Sequence, residues 1–410
     1  MGAAAAGATG NRRRLTILSQ YFHPEAISTG QLLTELAERL ARRGFEVEAL
    51  CAQPTYYGAT RVPWRMQHAG IDIRRVRSTQ LDKNSRLGRI VNAVTFFAAV
   101  ALRLLAAPRD RTYLVVTNPP FLAWAMLLVR PLRRHRFVYL IHDVYPDVAV
   151  RLGVLRAGSP AVRLWERLNR VACRAAERVI VLGRDMRDVL RGKGVPEEKL
   201  RIIENWADGD AIRPLPRSEN PFIREHGLAG RFVVMYSGNM GLLHDLESIV
   251  GAAARLRERT EMRFVFIGGG GKLPSVRRLV DEHRLDNVLL LPYQPREALG
   301  YTLTAADVSL VSLAAGNEGL AVPSKLYGIM AAGSPVVANV PEACEVARVL
   351  AEAECGLVVP VGDPEALAGA IARYADDPEL RRRHGANART EFERRYALER
   401  VVDRWVEVLR

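Results

Sequence analysis

Cysteine is scarce in this chain. Cys51, Cys173, Cys344 and Cys355 are the four among 410 residues, and none stands near another at metal-ligand spacing. That excludes a disulfide framework and predicts small buried core residues of a reducing compartment. Apolar runs of membrane-spanning length are also lacking: the uncharged stretch Ile90–Leu102 falls short of the ~20 residues a bilayer requires. The opening Met1–Gly10 has no hydrophobic segment of signal-peptide length, and Arg12–Arg14 follow it. Export is therefore not expected, and residues 1–14 read as a flexible tail. Acidic residues are in deficit, 45 against 59 Lys and Arg, which leaves a net charge of +14. No nucleic-acid motif and no interleaving of basic with aromatic residues accompanies that charge, so nucleic acid is not the expected partner.

Hydrophobic residues at 49% and charged residues at 25% describe a globular chain with enough apolar content to bury cores. The length fits two domains of roughly 150–200 residues. The positive charge matches an anionic membrane surface. Arg86, Arg89, Arg103, Arg109 and Arg111 flank Ile90–Leu102, and Phe121–Val129 leads into Arg130, Arg133, Arg134, His135 and Arg136. Each basic residue near anionic lipid contributes on the order of 1 kcal/mol. The same two stretches also fit helices packed on a domain with solvated ends, and both readings can hold together.

Short β-branched runs alternate with helical patterns. Strands are expected at 15–19, 47–51, 71–76, 112–117, 137–141, 179–182 and 201–203, with a helix over 29–43 closed by Gly44. The segment Arg213-Pro-Leu-Pro-Arg-Ser-Glu-Asn-Pro221 is the best linker. Alternation then resumes, with strands at 232–236, 264–267, 288–291, 308–312 and 336–338. Strands separated by helices imply parallel sheets covered on both faces. The expected fold class is α/β, two Rossmann-like domains facing across a cleft: residues 15–212 and residues 222–395. In the last helix, 397–410, Leu398, Val401, Val402, Trp405 and Leu409 recur at helical spacing, so one face is buried.

The most informative segment is Asn317-Glu-Gly-Leu-Ala-Val-Pro-Ser-Lys-Leu-Tyr-Gly-Ile-Met-Ala-Ala-Gly-Ser-Pro335. It sets a carboxylate, a glycine turn, a hydroxyl and a lysine ahead of a helix. Glu318 can accept hydrogen bonds from sugar hydroxyls, and Lys325 can neutralise a phosphate oxygen near a helix N-terminus. A sugar joined to a phosphate needs that pairing.

This segment resembles the donor-binding signature of retaining glycosyltransferases of family 4 with the GT-B fold. It is most similar to the bacterial branch that builds capsule, colanic-acid-type and O-antigen polysaccharides, whose variant reads Pro-Ser-Lys-Leu-Tyr. The resemblance runs from Tyr21-Phe-His-Pro-Glu25 to the last helix, which in that fold crosses back onto the first domain. It implies a nucleotide sugar as donor, a polyprenyl-diphosphate-linked saccharide as acceptor and no metal. It also places donor contacts at Glu318, Gly319, Leu320, Ser324 and Lys325.

Tyr236-Ser-Gly-Asn-Met-Gly-Leu242 joins a strand to a helix, and Gly238 and Gly241 let the backbone approach a diphosphate. Related sequences carry an arginine and, five residues on, a lysine here; this chain has Asn239 and His244, which leaves Lys325 as the main cation. Phe266-Ile-Gly-Gly-Gly-Gly-Lys272 is a second such turn, and the resemblance implies that Gly270 lies beside the nucleotide. Gln294, after Tyr293, falls where relatives hold the base. A glutamate that relatives place in the helix after Ser324 is replaced around Gly328, so ribose recognition must come from elsewhere, with Glu345 a candidate.

In the first domain Leu140-Ile-His-Asp-Val-Tyr-Pro-Asp147 places His142 and Asp143 at a strand's carboxyl end. The resemblance implies that Asp143 accepts the incoming hydroxyl's hydrogen bond and that His142 orients the donor sugar. Gly30 opens a helix whose amide can reach a phosphate or an acceptor. Asp208-Gly-Asp210 looks like a metal motif, yet its Glu204-Asn-Trp-Ala context resembles a GT-B interdomain turn, so no metal is expected there. Arg133, Arg134 and Arg136 are the expected membrane- and acceptor-side basic residues of a cytoplasmic protein peripheral on the inner membrane face. Two rivals share these features: a sugar-nucleotide 2-epimerase of the same fold, and a non-catalytic scaffold in a polysaccharide assembly complex.

Overall fold

The computed structural model describes residues 13–25, 27–55, 61–82 and 85–410. The expected tail lies outside these up to residue 12. Arg14 is already the first residue of the first strand and pairs with Glu46.

Eight strands form the first sheet: β1 (Arg14–Leu18), β2 (Glu46–Cys51), β3 (Arg65–His68), β4 (Ile71–Arg75), β5 (Thr112–Val116), β6 (Arg136–Leu140), β7 (Arg178–Val181) and β8 (Leu200–Ile202). Their order is β3-β4-β2-β1-β5-β6-β7-β8, parallel except for β3 against β4. β3 was not foreseen. Its Arg-Met-Gln-His sequence lacks strand-forming residues, and it is an exposed edge strand made by a hairpin whose turn, Ala69-Gly70, takes positive φ at both positions.

The second sheet holds β9 (Phe232–Ser237), β10 (Met262–Ile267), β11 (Val288–Leu291), β12 (Val308–Ser312), β13 (Val336–Asn339) and β14 (Gly356–Val359). Its order, β11-β10-β9-β12-β13-β14, is all parallel and reverses direction between β9 and β12. In the first sheet the reversal falls between β1 and β5. Ligands of open parallel sheets bind outside the strand carboxyl ends at these reversals. The loops after β9 and β12 hold Gly238 and Glu318, and the loop after β1 holds His23.

The chain crosses between domains twice, side by side. Ala207 and Ala397 form an isolated parallel bridge, with the Leu398 amide donating to the Ala207 carbonyl at 3.1 Å. Past that crossing, Ile212 already packs with Leu303, Val311 and Leu326 of the second domain. The last helix, Leu398–Val408, returns to the first domain and buries Val401, Val402 and Trp405 in its core. Each such side chain contributes about 1.5–3 kcal/mol of burial. Glu204, 1% exposed, ties the return together by accepting from Arg395 at 2.6 Å and from Arg404.

The apolar stretch before β5 is a helix of 20 residues, Arg86–Leu105, longer than the uncharged run suggested. Over Leu87–Leu105 its mean hydropathy is 1.5, enough by length and composition alone to cross a membrane. It nevertheless carries Arg89 and Arg103, and it packs Phe96, Val100 and Leu104 into the first domain's core. Its opposite face is bare: Leu87 is 69% exposed, Ile90 57%, Val94 50% and Leu102 70%.

Candidate active site

In the second domain the loops after β9 and β10 interlock. The Met240 amide donates to the Gly269 carbonyl at 2.7 Å, and the Lys272 amide donates to the Met240 carbonyl at 2.9 Å. Gly270 is pressed against Asn239 and Met240, where a Cβ would lie 2.5 Å from the Asn239 Oδ1. Below them Asp245 accepts from Ser248, Gly362 and Asn339, joining the loop after β9 to the ends of β13 and β14. Gly238, at φ +126°, leaves open backbone beside Lys325; a Cβ there would sit 3.4 Å from the lysine Cε.

Lys325 opens the helix Lys325–Ala331. Its Nζ stands 3.3 Å from the centre of the Tyr236 ring and has no hydrogen-bond partner among the described residues. Burial drives its pKa well below the ordinary lysine value. An ammonium without anion or water costs several kcal/mol, so burial shifts this lysine towards its neutral form and an arriving negative group shifts it back. Glu318 is half-buried, with one carboxylate oxygen likewise buried and unpartnered among the described residues. Among the described residues two orphaned polar groups of opposite character therefore lie on the single segment 318–325 that follows β12.

His244 supplies no charge. Its Nδ1 lies 2.6 Å from the Ser312 carbonyl, which marks that nitrogen as the donor. Burial, and then the neighbouring Lys325, push its pKa down to about 3. Asn239 remains a neutral donor, Gly241 closes against its amide, and Lys272 is taken by Glu247 at 2.7 Å. Among the described residues around this loop, Lys325 is the basic side chain left without a partner.

Across the crevice, β6 delivers His142 and Asp143. The His142 amide donates to the Thr117 Oγ1 at 3.0 Å, fixing the strand end. Burial lowers the His142 pKa to about 4 and raises that of Asp143 to about 6. Asp143 forms an antiparallel bridge with Ala321, and the Val144 amide donates to the Leu320 carbonyl at 2.8 Å. The Asp143 segment and the Glu318 loop, far apart in sequence, are thereby brought into direct contact.

Other expected residues fall elsewhere. Gly30 lies in the first turn of the helix Ser28–Arg42, where a Cβ would come 3.1 Å from Glu25. Ser324 holds the N-cap position of the Lys325 helix, and its side chain makes no capping hydrogen bond there. The Gln294 side chain donates to the Pro292 carbonyl, while Tyr293 covers Gly269. Arg133, Arg134 and Arg136 sit at the amino end of β6, the end of the strand opposite Asp143, and Arg136 pairs with Glu177 at 2.6 Å. They do not line the crevice.

A Cβ at Gly328 would meet Leu303 at 3.2 Å and Ile212 at 3.9 Å. The expectation that Glu345 recognises the ribose is corrected. Glu345 is 1% exposed and bound by Arg184, whose guanidinium lies 3.0 Å from it and whose amide donates at 2.7 Å. The Asp208 and Asp210 carboxylates are also engaged, Asp208 by the amides of Asp210 and Ala211 and by Arg39, Asp210 by Arg213. Among the described residues no group of three or more His, Cys, Asp or Glu is arranged to hold a metal.

The site also uses residues the sequence reading passed over: Tyr236 beneath the lysine, and Arg184 and Asp185 at the carboxyl end of β7. For Arg184 and Asp185, a place after a parallel strand was the available signal.

Comparison with known proteins agrees with this architecture. Residues 29–206 match the family "Glycosyl transferase 4-like domain", and residues 219–391 match "Glycosyl transferases group 1". The chain is 35% identical to a probable glycosyltransferase, WbjE, of Pseudomonas aeruginosa over 70% of each chain. It is 26% identical to the putative colanic acid biosynthesis glycosyl transferase WcaI of Escherichia coli K12, over 95% of this chain and 98% of that one. Among solved structures, Anabaena HepE in complex with UDP and glucose superposes with a TM-score of 0.75 at 15% identity, covering 97% of this chain and 99% of that one. The two parallel sheets facing across a crevice define a GT-B enzyme. The chain belongs to the family 4 glycosyltransferases.

Proposed function

We propose that this enzyme is a retaining glycosyltransferase that moves a sugar from a nucleoside diphosphate to a saccharide carried on polyprenyl diphosphate, during assembly of a bacterial surface polysaccharide. The observation that carries this reading is the pair of groups orphaned among the described residues, the Lys325 Nζ and a Glu318 oxygen, on the one segment after β12 that bridges to Asp143 through Ala321. A diphosphate satisfies the lysine and a sugar hydroxyl satisfies the glutamate. The relatives named for polysaccharide work and the UDP held by HepE support the same ligand class.

In this reading the acceptor hydroxyl attacks the anomeric carbon on the face the diphosphate leaves. The bond from that carbon to the phosphate oxygen breaks as the new glycosidic bond forms, and the acceptor proton passes to the departing oxygen. Lys325 and the Gly238 backbone stabilise that developing charge, and Asp143 orients the hydroxyl. No metal is required, because the charge is met by lysine and backbone. The bare apolar face of helix Arg86–Leu105, with Arg89 and Arg103 on the same helix, supports attachment to the inner face of the cytoplasmic membrane, where a lipid-linked acceptor lies.

A thermal-shift panel of UDP, GDP and dTDP sugars tests the donor class. A ligand at 100 times its Kd stabilises by about 2.7 kcal/mol. The stabilising donor is then offered with a lipid-linked acceptor, and the product's anomeric configuration is read by NMR. Inversion would reject the retaining mechanism, and an epimerised donor formed without acceptor would favour the 2-epimerase instead.

A further inference from the structure

Asp185 touches neither the crevice lysine nor Asp143, yet it holds the loop that carries Glu318. It belongs to the first domain, in the first turn of helix Arg184–Gly192 after β7, and is 7% exposed. Its Oδ1 accepts from its neighbour Met186 at 2.7 Å. Its Oδ2 accepts two amides of the other domain, those of Gly319 and Glu345, each at 3.0 Å. One carboxylate oxygen thus joins the residue after Glu318 to the start of the helix Glu345–Ala353.

The fit around it is close. Gly319, at φ +70°, has no room for a side chain: a Cβ would stand 2.7 Å from both the Asp185 carbonyl oxygen and Val189. Gly183 meets Glu345 in the same way, at 2.9 Å. Arg184 spans to Glu345 and Glu352. With the Val144 amide on the Leu320 carbonyl, residues 319–321 are gripped from two sides by the first domain. The Gly238 turn, by contrast, is built within the second domain.

We propose that Asp185 is a positioning residue, setting Glu318 against the donor sugar only when the two domains are closed. This rests on the reading of Glu318 as the donor-sugar ligand. The second domain alone then holds the diphosphate, while the sugar contact is completed by the first domain. A donor bound to the open enzyme is not held for cleavage, which limits its loss to water.

The test uses full-length Asp185→Asn, Asp185→Ala and Gly319→Ala, each first shown by circular dichroism and melting to be folded. Calorimetry measures binding of UDP, GDP or dTDP, whichever the panel selects, and steady-state kinetics measures transfer and donor hydrolysis. Nucleoside diphosphate affinity should stay within about twofold of wild type in the two Asp185 variants. The kcat for transfer should fall about 10–100-fold in Asp185→Ala and Gly319→Ala, the scale expected for a misplacement near 1 Å. Asp185→Asn, which keeps one acceptor oxygen, should fall between, and hydrolysis per transfer should rise. Unchanged kcat, or equal losses in nucleotide affinity and turnover, would overturn the proposal. Glu318→Ala separates the two ideas: if it turns over normally, the donor-site reading fails; if it is impaired while all three variants are normal, only the clamp fails.

Discussion

The Lys325 Nζ stands 3.3 Å from the centre of the Tyr236 ring and, among the described residues, has that aromatic face in place of a hydrogen-bond partner. A ring offers a cation about 0.5–2 kcal/mol, far less than the desolvation cost of a fully buried charge. The lysine is thus held at a stability cost that a bound diphosphate offsets. Removing it should separate stability from activity. Lys325→Met and Glu318→Ala should each lower turnover by about 10²–10³-fold, the usual loss for one preorganised contact. Near-normal rates in both would mean that the donor site lies elsewhere.

Stability should move the other way. Burial lowers the Lys325 pKa, so from that lowered value up to about 10.4 the unfolded chain carries a proton the folded one lacks. Stability therefore rises with pH through that window. Lys325→Met should remove this slope and raise the melting temperature at neutral pH by a few degrees, at about 2–4 °C per kcal/mol. Scanning calorimetry of both proteins at several pH values checks the sign.

Asp143 sets an acid limb. Burial raises its pKa to about 6, and the carboxylate form accepts the acceptor hydroxyl's hydrogen bond. Turnover should rise with pH through about 6, while His142, pushed down to about 4, stays neutral there. The same shift makes Asp143 stabilising below its unfolded value near 3.9, a contribution lost as pH rises through about 6. Asp143→Asn should abolish the limb and reduce turnover by about 10²-fold or more. A limb that persists in the variant assigns it to another group.

The proposed metal independence draws on carboxylates that are already engaged. Asp208 serves turn amides and Arg39, and Asp210 serves Arg213. Activity should survive EDTA, and Asp210→Ala should change kcat/KM by less than about threefold, since exposed pairs are worth 0–1 kcal/mol. Recovery by manganese or magnesium after EDTA would show a metal to be required.

Membrane attachment should depend on the bare helix face and on nearby arginines. Ser at Leu87, Ile90 and Val94, or Gln at Arg133, Arg134 and Arg136, should weaken binding to vesicles containing phosphatidylglycerol. Salt should weaken wild-type binding, since charges are screened over ~8 Å at physiological ionic strength. Turnover on a lipid-linked acceptor should fall while that on a short soluble analogue holds. Equal losses on both acceptors would assign these residues to the fold.

The domain crossing should be fragile at Glu204. Burial alone would raise its carboxyl, and Arg404 and Arg395 outweigh it, holding the pKa below the usual value. That contribution is present above the unfolded value near 4.3 and lost as pH falls through the folded one. Glu204→Gln leaves two arginines short of a charge and should cost about 3–5 kcal/mol. A melting temperature within a degree of wild type would contradict this account.

Local chemistry was legible from the chain alone. The alternation of strands and helices, the glycine turns after β9 and β10, and the Glu318–Lys325 segment are short-range patterns, because each depends on neighbours within one turn or strand. The apolar spacing of Leu398, Val401, Val402 and Trp405 likewise announced a buried face. Tertiary structure decided what depends on burial and on residues distant in sequence. Among the described residues it left Lys325 unpaired over Tyr236, gave Glu345 to Arg184, and carried Arg136 to the far end of β6 from Asp143. It also set Asp185 against Gly319, a contact between residues 134 positions apart that no local pattern encodes. Whether a charged side chain is paired, neutralised or left waiting depends on the dielectric and partners around it, and these exist only once both domains pack.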